Sequence, residues 1–515
     1  MSPRVYSTII EAKDKNLIPL CKNEESGQEI SLHSKYNPTR EAETFAAQVS
    51  EAAFFIVLGL SGGYHIQKLG EKFPNAKIIA VEISDEAIDF LSQIPAVRKL
   101  QENKRIKITS IQNLSEILLS FYKPALHGNL SILSLRAWET FFTDEAALAR
   151  DKITAALKLL SGDYSVQSHF GKIWHKNILS NLSLTGEILS QAQNDKCAQN
   201  DVSAKFPYKA EVKSKIAAVI AAGPSLDDDI RELKHNRTKY FIIATDTAFS
   251  ALSKHNIQSD AVVSIDGQMI SHEHFLGNLN KDTTFVFDLC SPSSSVRKTL
   301  RFSKHVILAQ TGHPLAQCAS FYNGGQNFLH LEAGSGTVTI AAVSFAQALG
   351  FSNDKIQFFG ADFSYIKGKP YARGTYLETR FYSLSDRFET AEKAYTKLMY
   401  RTPVIKISED KITTEILESY RLSLADFMKK EHKTASDYCQ TITHNTKKSW
   451  QISTQFDFQD FKSRYCKELE IAFKDKENFD ENAPVITTLL PLLAKIGKDS
   501  AFLAYLKILE YTKRI

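Results

Sequence analysis

"IAAVIAAGPSLDDDI", residues 216–230, is the stretch of sequence that decides the fold. An apolar run of strand length stops at a turn formed by Gly223, Pro224 and Ser225. Gly223 permits a tight turn and lets a ligand approach the backbone, while Ser225 is a typical helix N-cap residue. The aspartates at 227–229 fall in the first helical turn, where carboxylates complement the helix dipole, so we assign them to capping rather than to a metal. The stretch predicts a buried strand that leads directly into a helix.

The central part of the chain contains five more short apolar runs, at 239–246, 260–266, 283–288, 305–310 and 355–362. Each run is apolar throughout, as a strand covered on both faces of a sheet requires. Helical patterns lie between several of the runs, most clearly at 337–349. This alternation predicts a mostly parallel, doubly wound sheet.

The N-terminal part shows a weaker form of the same pattern. A strand and a turn with Gly59, Gly62 and Gly63 occupy the first half of the stretch 52–69, and a second strand ends at Glu82. Glycines after one strand and an acid after the next are typical of nucleotide-binding or methyltransferase-type units, although the spacing departs from G-x-G-x-x-G. A Rossmann-like scaffold without a cofactor and an S-adenosylmethionine-dependent methyltransferase both remain open.

Length and patterning divide the chain into four parts, because 515 residues are too many for one hydrophobic core. The predicted fold class is α/β, with two Rossmann-like, doubly wound parallel-sheet units followed by a C-terminal bundle of long amphipathic helices. The predicted parts are an N-terminal Rossmann-like domain at 1–150, a helical connector and linker at 151–214, a catalytic domain at 215–400 and a helical domain at 401–515.

The composition indicates a cytoplasmic protein. A net charge of +5 is small for this length, so neither nucleic acid nor a membrane surface is an expected partner. No apolar run approaches the ~18 residues of a membrane-spanning helix, and the N-terminus lacks the apolar core of a signal peptide, so no membrane insertion is expected. The cysteines are widely spaced, which is typical of reduced thiols. They are Cys21, Cys197, Cys290, Cys318, Cys439 and Cys466.

Four predicted strands of the central part end in a carboxylate. Because the carboxyl ends of parallel strands lie along one edge, we expect Asp246, Asp266 and Asp362 to face the crevice in which open α/β sheets bind ligands. There they would take hydroxyl or amide groups of a ligand, or share a metal. The fourth residue, Asp288, precedes a polar turn, and a structural role is favoured for it.

Two loops extend the predicted site. Gly334, Ser335 and Gly336 precede a helix whose free backbone N–H groups and dipole suit a phosphate, although such a loop also lets a helix pack closely. Beyond the last strand, the hydroxyl of Tyr371 would donate a hydrogen bond to a departing phosphate, and Arg373 would neutralise its charge.

The stretches AAGPSL, ATDTAFSAL, VVSIDG, GSGTVTIAAVSFAQALG and IQFFGADFSY, in this order, resemble the motility accessory factor (Maf) family over residues 215–380. The resemblance implies a protein O-glycosyltransferase that transfers a nonulosonic acid, of the pseudaminic or legionaminic type, to serine or threonine of flagellin. It further implies a CMP-activated donor, inversion at the anomeric carbon, no required metal or other cofactor, and a need for the protein in assembly of the bacterial flagellum and in motility.

The central part, which resembles an MptE-like (DUF115) domain, is also similar to bacterial CMP-sialyltransferases. This similarity implies nucleotide-sugar contacts from Gly223, Pro224, Ser225, Asp246, Asp266, Ser335, Gly336, Thr337 and Gly360. The implied catalytic residues are Tyr371, Asp362 and Arg373, with Tyr371 in the place of the phosphate-assisting tyrosine. The histidine base of those enzymes has no counterpart after Tyr371, which leaves His313 and Glu378 as candidates.

Two other functions remain open. The same core is similar to an archaeal 6-hydroxymethylpterin pyrophosphokinase, whose strand-end aspartates hold a metal–nucleotide, and Asp246 and Asp266 suit that reaction. A non-catalytic flagellin-binding chaperone would instead use the helical tail. Glycosyl transfer to a protein ranks first, because the residues outside the core offer a surface for a polypeptide.

Overall fold

The structure, a computed structural model, describes residues 4–193, 214–275, 279–303, 305–324, 326–334, 336–429, 456–473, 480–481 and 483–515. Most of the predicted linker, with Cys197, and the part of the helical tail with Cys439 lie outside these residues. The chain forms two compact units, residues 1–171 with 490–501 and residues 172–489 with 502–515. The domain boundaries drawn from the sequence stay predictions, and helix α8 (Thr143–Leu182) runs without interruption through residue 150.

The first unit contains a four-stranded parallel sheet with the order β6-β5-β4-β7. Its strands are β4 (Phe54–Leu58), β5 (Lys77–Glu82), β6 (Ile106–Ser110) and β7 (Leu130–Ser134). An antiparallel sheet that the sequence analysis did not predict precedes it, built from β1 (Arg4–Glu11), β2 (Leu17–Asn23) and β3 (Glu29–Ser31). The helices before α8 are α1 (Pro38–Ala47), α2 (Tyr64–Lys72), α3 (Asp85–Leu91), α4 (Pro95–Gln101), α5 (Leu114–Phe121), α6 (Pro124–His127) and α7 (Arg136–Phe141).

The second unit is built on a seven-stranded parallel sheet. All six predicted strands are present, with one short strand added, and the order is β13-β12-β11-β10-β9-β8-β14. The strands are β8 (Ile216–Ile220), β9 (Tyr240–Thr245), β10 (Ala261–Ser264), β11 (Thr284–Asp288), β12 (Val306–Gln310), β13 (Leu329–His330) and β14 (Ile356–Phe359). Successive strands extend in one direction from β8, and the chain then returns to its other side to form β14.

Helices connect these strands, as the parallel pairing requires. Helix α9 (Thr185–Gln193) precedes β8, and the connecting helices are α10 (Leu226–His235), α11 (Asp246–Lys254), α12 (Ser293–Leu300), α13 (Pro314–Ser320) and α14 (Val338–Ala348). A 3₁₀ turn at Met269–Phe275 follows β10. Helix α14 is apolar almost all round because it packs between β8–β10 and the side chains of Leu424 and Phe427.

The remaining elements follow β14. A small antiparallel sheet has the order β15-β17-β16, with β15 (Tyr365–Ile366), β16 (Val404–Lys406) and β17 (Lys411–Thr414). The helices are α15 (Tyr376–Ser383), α16 (Ala391–Met399), α17 (Glu415–Lys429), α18 (Phe458–Ala472), α19 (Pro484–Thr487), α20 (Leu490–Ile496) and α21 (Ala501–Arg514). In the part of the chain that is described, no helix is long and apolar enough to cross a membrane. The predicted fold class is confirmed, with two parallel sheets flanked by helices and further helices at the C-terminus.

Candidate functional site

The order of strands reverses between β8 and β14, and open α/β sheets bind ligands in the crevice at such a switch point. After β8, Gly223 N–H donates to Gly360 O at 2.7 Å. A Cβ on Gly223 would lie 2.4 Å from Asp362 Oδ2 and 2.5 Å from Gly360 O. The close approach of the chain after β14 therefore requires a glycine here. The protein's own Asp362 fills the space that the sequence analysis reserved for a ligand.

Asp362 caps helix α10 from the other side of the switch point. Its Oδ2 accepts a hydrogen bond of 2.8 Å from the backbone N–H of Ser225. Ser225 occupies the N-cap position, but its own side chain makes no capping hydrogen bond. The prediction that the Ser225 side chain caps this helix is therefore wrong, because a carboxylate from a neighbouring strand takes that role. Pro224 is buried in the turn between them.

The aspartates of the first turn of α10 do more than complement the helix dipole. Asp229 Oδ2 accepts from Gly360 N–H at 3.2 Å, and burial raises the pKa of Asp229. Asp227 Oδ1 accepts from Arg373 N–H at 2.7 Å, and Asp227 Oδ2 lies 3.3 Å from Lys369 Nζ. These contacts fix the loop that follows β14 against α10.

Asp246 and Asp266 follow the neighbouring strands β9 and β10, and the structure makes them electrostatic neighbours. Asp246 is 2% exposed, and its Oδ2 accepts from Ser264 Oγ–H at 2.8 Å. Asp266 is less enclosed, and burial, with the nearby charge of Asp246, raises its pKa. Asp246 is thus committed to the protein, while Asp266 is only partly buried and accepts from Gln268 N–H through Oδ1 at 2.9 Å.

Tyr371 lies in the loop after β15, next to Ala372, whose backbone N–H donates to Ala222 O at 2.9 Å and so joins this loop to the turn after β8. Its side chain is 37% exposed, yet the surrounding protein raises the pKa of its phenol to about 12. The acidic groups of Tyr376, Tyr365 and Asp246 contribute to this shift by opposing ionisation. At neutral pH the hydroxyl is therefore protonated, and it is able to donate a hydrogen bond.

The cation whose field acts on the Tyr371 phenol is Arg401, which the sequence analysis missed. Arg401 follows α16, and no motif surrounds it. The side chain of Arg373 is 71% exposed, and its Nε lies 3.9 Å from Asp227 Oδ2.

Tyr376 and His274 are two further residues that sequence reasoning missed. The rings meet edge to face, with centroids 4.3 Å apart and an interplanar angle of 88°. The charges of Asp246 and Asp266 act on the Tyr376 phenol, whose pKa burial raises. His274 is 5% exposed and interacts electrostatically with Asp266. The sequence signal was slight, a second histidine in "SHEHF" after β10.

Backbone N–H groups of the glycine loop before α14, predicted to be free, form hydrogen bonds within the protein. The N–H groups of Gly336 and Thr337 both donate to Ala333 O, at 2.9 and 3.1 Å, and Thr337 Oγ1 accepts from Thr339 N–H at 3.3 Å. The expectation that Gly336 N–H points freely outward is therefore wrong. A Cβ on Gly336 would meet nothing within 4 Å, so this side of the loop is open. Ser335 lies outside the described residues.

The three other residues considered from the sequence support local structure. Asp288 Oδ1 accepts from Cys290 N–H at 2.6 Å, in keeping with the structural role favoured for it. His313 Nδ1 accepts from Leu315 N–H at 3.2 Å and caps α13, while burial lowers its pKa to about 3. Glu378 Oε2 accepts from a backbone N–H in the Tyr371 loop at 2.6 Å.

The end of α8 covers the carboxyl ends of two strands in the second unit. The side-chain amides of Asn177 and Asn181 donate to four backbone carbonyls after β10 and β11. These carbonyls are Gly267 O (3.2 Å), Cys290 O (2.7 Å), Leu289 O (2.9 Å) and Ser291 O (2.8 Å). These four hydrogen bonds fix the end of α8 against the loops that follow β10 and β11.

In the first unit, the carboxylate oxygens of Glu82 are occupied by hydrogen bonds from the protein itself. Glu82 is 0% exposed and accepts hydrogen bonds from Trp138 Nε1–H at 2.8 Å, from Tyr6 O–H at 2.9 Å, and from the N–H groups of Leu60 and Ser61 at 3.1 and 3.2 Å. In a nucleotide-binding site an acid at this position accepts hydrogen bonds from the ribose. Here the Glu82 carboxylate already accepts its hydrogen bonds from the protein.

The glycine turn of the first unit is filled in the same way. A Cβ on Gly59 would lie 2.7 Å from Trp138 Cγ, and one on Gly62 would lie 3.1 Å from His33 Nε2. His33 Nε2 also accepts from Gly62 N–H at 3.0 Å. These contacts favour a scaffold over a methyltransferase.

Comparisons with known proteins agree with this architecture. Residues 190–368 match the family model described as 6-hydroxymethylpterin diphosphokinase MptE-like. A protein of Treponema pallidum (strain Nichols), described only as uncharacterized, is 30% identical over 189 residues, 34% of this chain and 82% of that protein. A second protein of that strain is 36% identical over 151 residues, 29% of this chain and about half (52%) of that protein.

A solved structure matches over nearly the whole chain. It is the Maf glycosyltransferase from Magnetospirillum magneticum AMB-1, with a TM-score of 0.53 and 14% sequence identity, and the match covers 98% of this chain and 87% of that one. The order of strands, the switch point and these matches lead to one conclusion: the chain belongs to the MptE-like family, and its fold is that of a Maf glycosyltransferase.

Proposed function

We propose that the protein is an O-glycosyltransferase that moves a nonulosonic acid from a CMP-activated donor to a serine or threonine hydroxyl of flagellin, in support of motility. The observation that carries the proposal is the position of the Tyr371 loop beside the switch point, where Ala372 N–H donates to Ala222 O at 2.9 Å, and burial together with neighbouring acidic groups raises the pKa of the Tyr371 phenol. A glycosyl donor of this type loses a nucleoside phosphate, and such a leaving group needs a hydrogen-bond donor where its charge develops.

In this proposal the nucleotide lies at the open ends of β8, β9 and β14. Tyr371 donates to the departing phosphate, Arg401 offsets its negative charge, and Asp266 receives hydroxyl groups of the donor. The acceptor hydroxyl attacks the anomeric carbon on the side opposite the phosphate, so the configuration inverts. Cys21, Cys290, Cys318 and Cys466 are free thiols, which suits action in the cytoplasm.

The decisive experiment compares flagellin from a deletion strain with flagellin from the parent strain by intact mass spectrometry. We expect the deletion to remove the glycan mass, and complementation with the wild-type chain to restore it. An unchanged flagellin mass in the deletion strain would refute the proposal. Complementation by a Tyr371→Phe chain separates catalysis from a chaperone role, because a chaperone would restore motility without that hydroxyl.

Pyrophosphoryl transfer to a pterin is the second candidate, and the MptE-like match favours it. Asp266 would offer one carboxylate to a Mg²⁺–nucleotide. The test is formation of AMP from ATP with Mg²⁺ and 6-hydroxymethylpterin. Production of AMP that depends on the pterin would move this reaction to first place.

A further inference from the structure

The two edges of the four-stranded sheet in the first unit differ in how their backbone groups are used. The strand order places β6 at one edge and β7 at the other. At both ends of β6 the backbone bonds within the chain, since Ile106 N–H donates to Asn103 O at 2.9 Å and Ser110 O accepts from Asn113 N–H at 3.2 Å. Strand β6 also carries the exposed Lys107. An edge of this kind is protected against pairing with another chain.

Strand β7 leaves a row of backbone groups without a partner. Leu135 N–H donates to Leu58 O at 2.9 Å, so every second residue of β7, counted back from Leu135, bonds to β4. The N–H and C=O groups of the residues between them, Leu130, Ile132 and Ser134, therefore point away from β4. Among the residues that the structure describes, no strand lies on that side of β7, and these backbone groups have no hydrogen-bond partner.

The open edge of β7 is accessible and held in place. Ile132 is 38% exposed, and the other residues of the strand are half-buried. Tyr122 O–H donates to Gly128 O at 2.6 Å just before the strand, and Ser134 Oγ–H donates to Glu139 Oε2 at its end. The strand is already extended, so a partner that pairs with it does not have to order it first. This lowers the entropic cost of binding.

A second copy of the same strand complements this row, because only an extended polypeptide matches alternating N–H and C=O groups. The outward-facing residues are arranged symmetrically about Ile132, as a two-fold interface requires. In an antiparallel pair centred on Ile132, Leu130 of each copy lies opposite Ser134 of the other, and each opposing pair exchanges two hydrogen bonds. Residues 128–135 include no charged side chain, so no like charges oppose each other across the pair.

We propose that the chain forms a two-fold dimer in which β7 pairs antiparallel with β7 of a second copy. The pairing joins two four-stranded sheets into one continuous sheet. It does not depend on the proposed function, because it uses no residue of the candidate site. The strand contributes five residues, against the roughly 20–30 residues a side of a standard interface, so we expect a dimer that dissociates on dilution.

Sedimentation equilibrium of the full chain over a range of concentrations measures the dimer. We expect Ile132→Lys and Ile132→Glu each to weaken dimerisation by at least about tenfold, because two like charges would lie opposite each other at the centre of the pair. A mixture of the two variants should dimerise again, since opposite charges then face each other. Lys107→Glu, on the other edge of the sheet, is the matched control and should dimerise as the wild type does.

Ile132→Pro separates backbone pairing from side-chain packing. It removes an outward N–H without removing a hydrogen bond to β4, so we expect an unchanged melting temperature and loss of the dimer. If this variant does not fold, the mixture of Ile132→Lys and Ile132→Glu decides. A wild-type chain that is monomeric at every concentration overturns the inference, as do Ile132 variants that dimerise like the wild type. A mixture of the two charged variants that stays monomeric contradicts the pairing centred on Ile132.

Discussion

At the scale of single residues, the Gly-Pro-Ser turn depends on a partner far along the chain. The carboxylate of Asp362 binds Ser225 N–H, 137 residues earlier in the sequence, and fills the space beside Gly223. The motif is thus a contact between two strand ends, and a side chain on the glycine would separate them.

Gly223→Ala should lower the free energy of unfolding of the second unit by about 1–3 kcal/mol, because the added carbon would press on Asp362 Oδ2 and Gly360 O. Gly186 provides the control, since a Cβ there would meet nothing within 4 Å. We expect Gly186→Ala to stay within about 1 kcal/mol of the wild type. Urea denaturation measures both, and equal midpoints would contradict the close approach.

Tyr371→Phe removes only the hydroxyl that we expect to meet the leaving phosphate. Transfer should fall by about 10²–10³-fold, with CMP affinity and melting temperature unchanged. Tyr382, 55% exposed, is the matched control, and Tyr382→Phe should have the wild-type rate. A Tyr371→Phe variant with full activity would remove this residue from the mechanism.

At the scale of elements, the last turns of α8 act as a cover for loops of the seven-stranded sheet. Asn177 and Asn181 lie one helical turn apart, so both amides face the turn after β11, where Asn177 donates to Cys290 O and Asn181 to Leu289 O and Ser291 O. Their role explains the polar residues in the otherwise apolar run "NILSNL".

Asn181→Leu should destabilise the second unit by about 1–3 kcal/mol, because Leu289 O and Ser291 O would be buried without a donor. Lys172→Leu introduces the same side chain at an exposed position of α8 and should change the unfolding free energy by less than about 0.5 kcal/mol. Thermal denaturation of the two variants compares them, and an equally small effect at Asn181 would contradict the covering role.

The elements that the sequence predicts well are those whose pattern is local. The strand, turn and helix at 216–235 and the other five strands of the sheet follow from short apolar runs and turn residues. Strands β1 and β3 are not evident from the sequence because their side chains are only partly buried and alternate irregularly.

The site was predictable in part. Asp246 and Asp266 follow from the rule that parallel strands end at one edge, and the structure places them together. His274, Arg401 and Asn177 act through contacts between distant segments, which periodicity and spacing do not encode. The saturation of Glu82 is likewise a matter of packing, since the same residue in an open crevice would bind a ligand.

At the scale of the whole molecule, four buried histidines make the folded state sensitive to acid. Burial is the main cause of the low pKa of each: about 3 for His65, His127 and His313, and about 4 for His175. In the unfolded chain these groups have ordinary pKa values near 6.5. The unfolded state therefore binds more protons between these values.

Stability should accordingly be fully present above about pH 6.5 and should fall as the pH decreases toward 4. Each histidine contributes a slope of up to about 1.4 kcal/mol per pH unit in that window. Urea midpoints at pH 7.5, 6.0 and 5.0 measure the effect, and His175→Phe should reduce its size. A midpoint that is constant from pH 7.5 to 5.0 would contradict the assignment of neutral, buried rings.

The position of β14 has a consequence for synthesis on the ribosome. Strand β8 pairs with β9 on one side soon after translation, but its other neighbour is encoded only after β13 and α14. Until residue 356 has left the exit tunnel, the apolar strand β8 forms an edge of the nascent sheet with one side unpaired, and such an edge invites pairing with other chains. The candidate site, whose two halves come from these same strands, is therefore among the last features of the second unit to form.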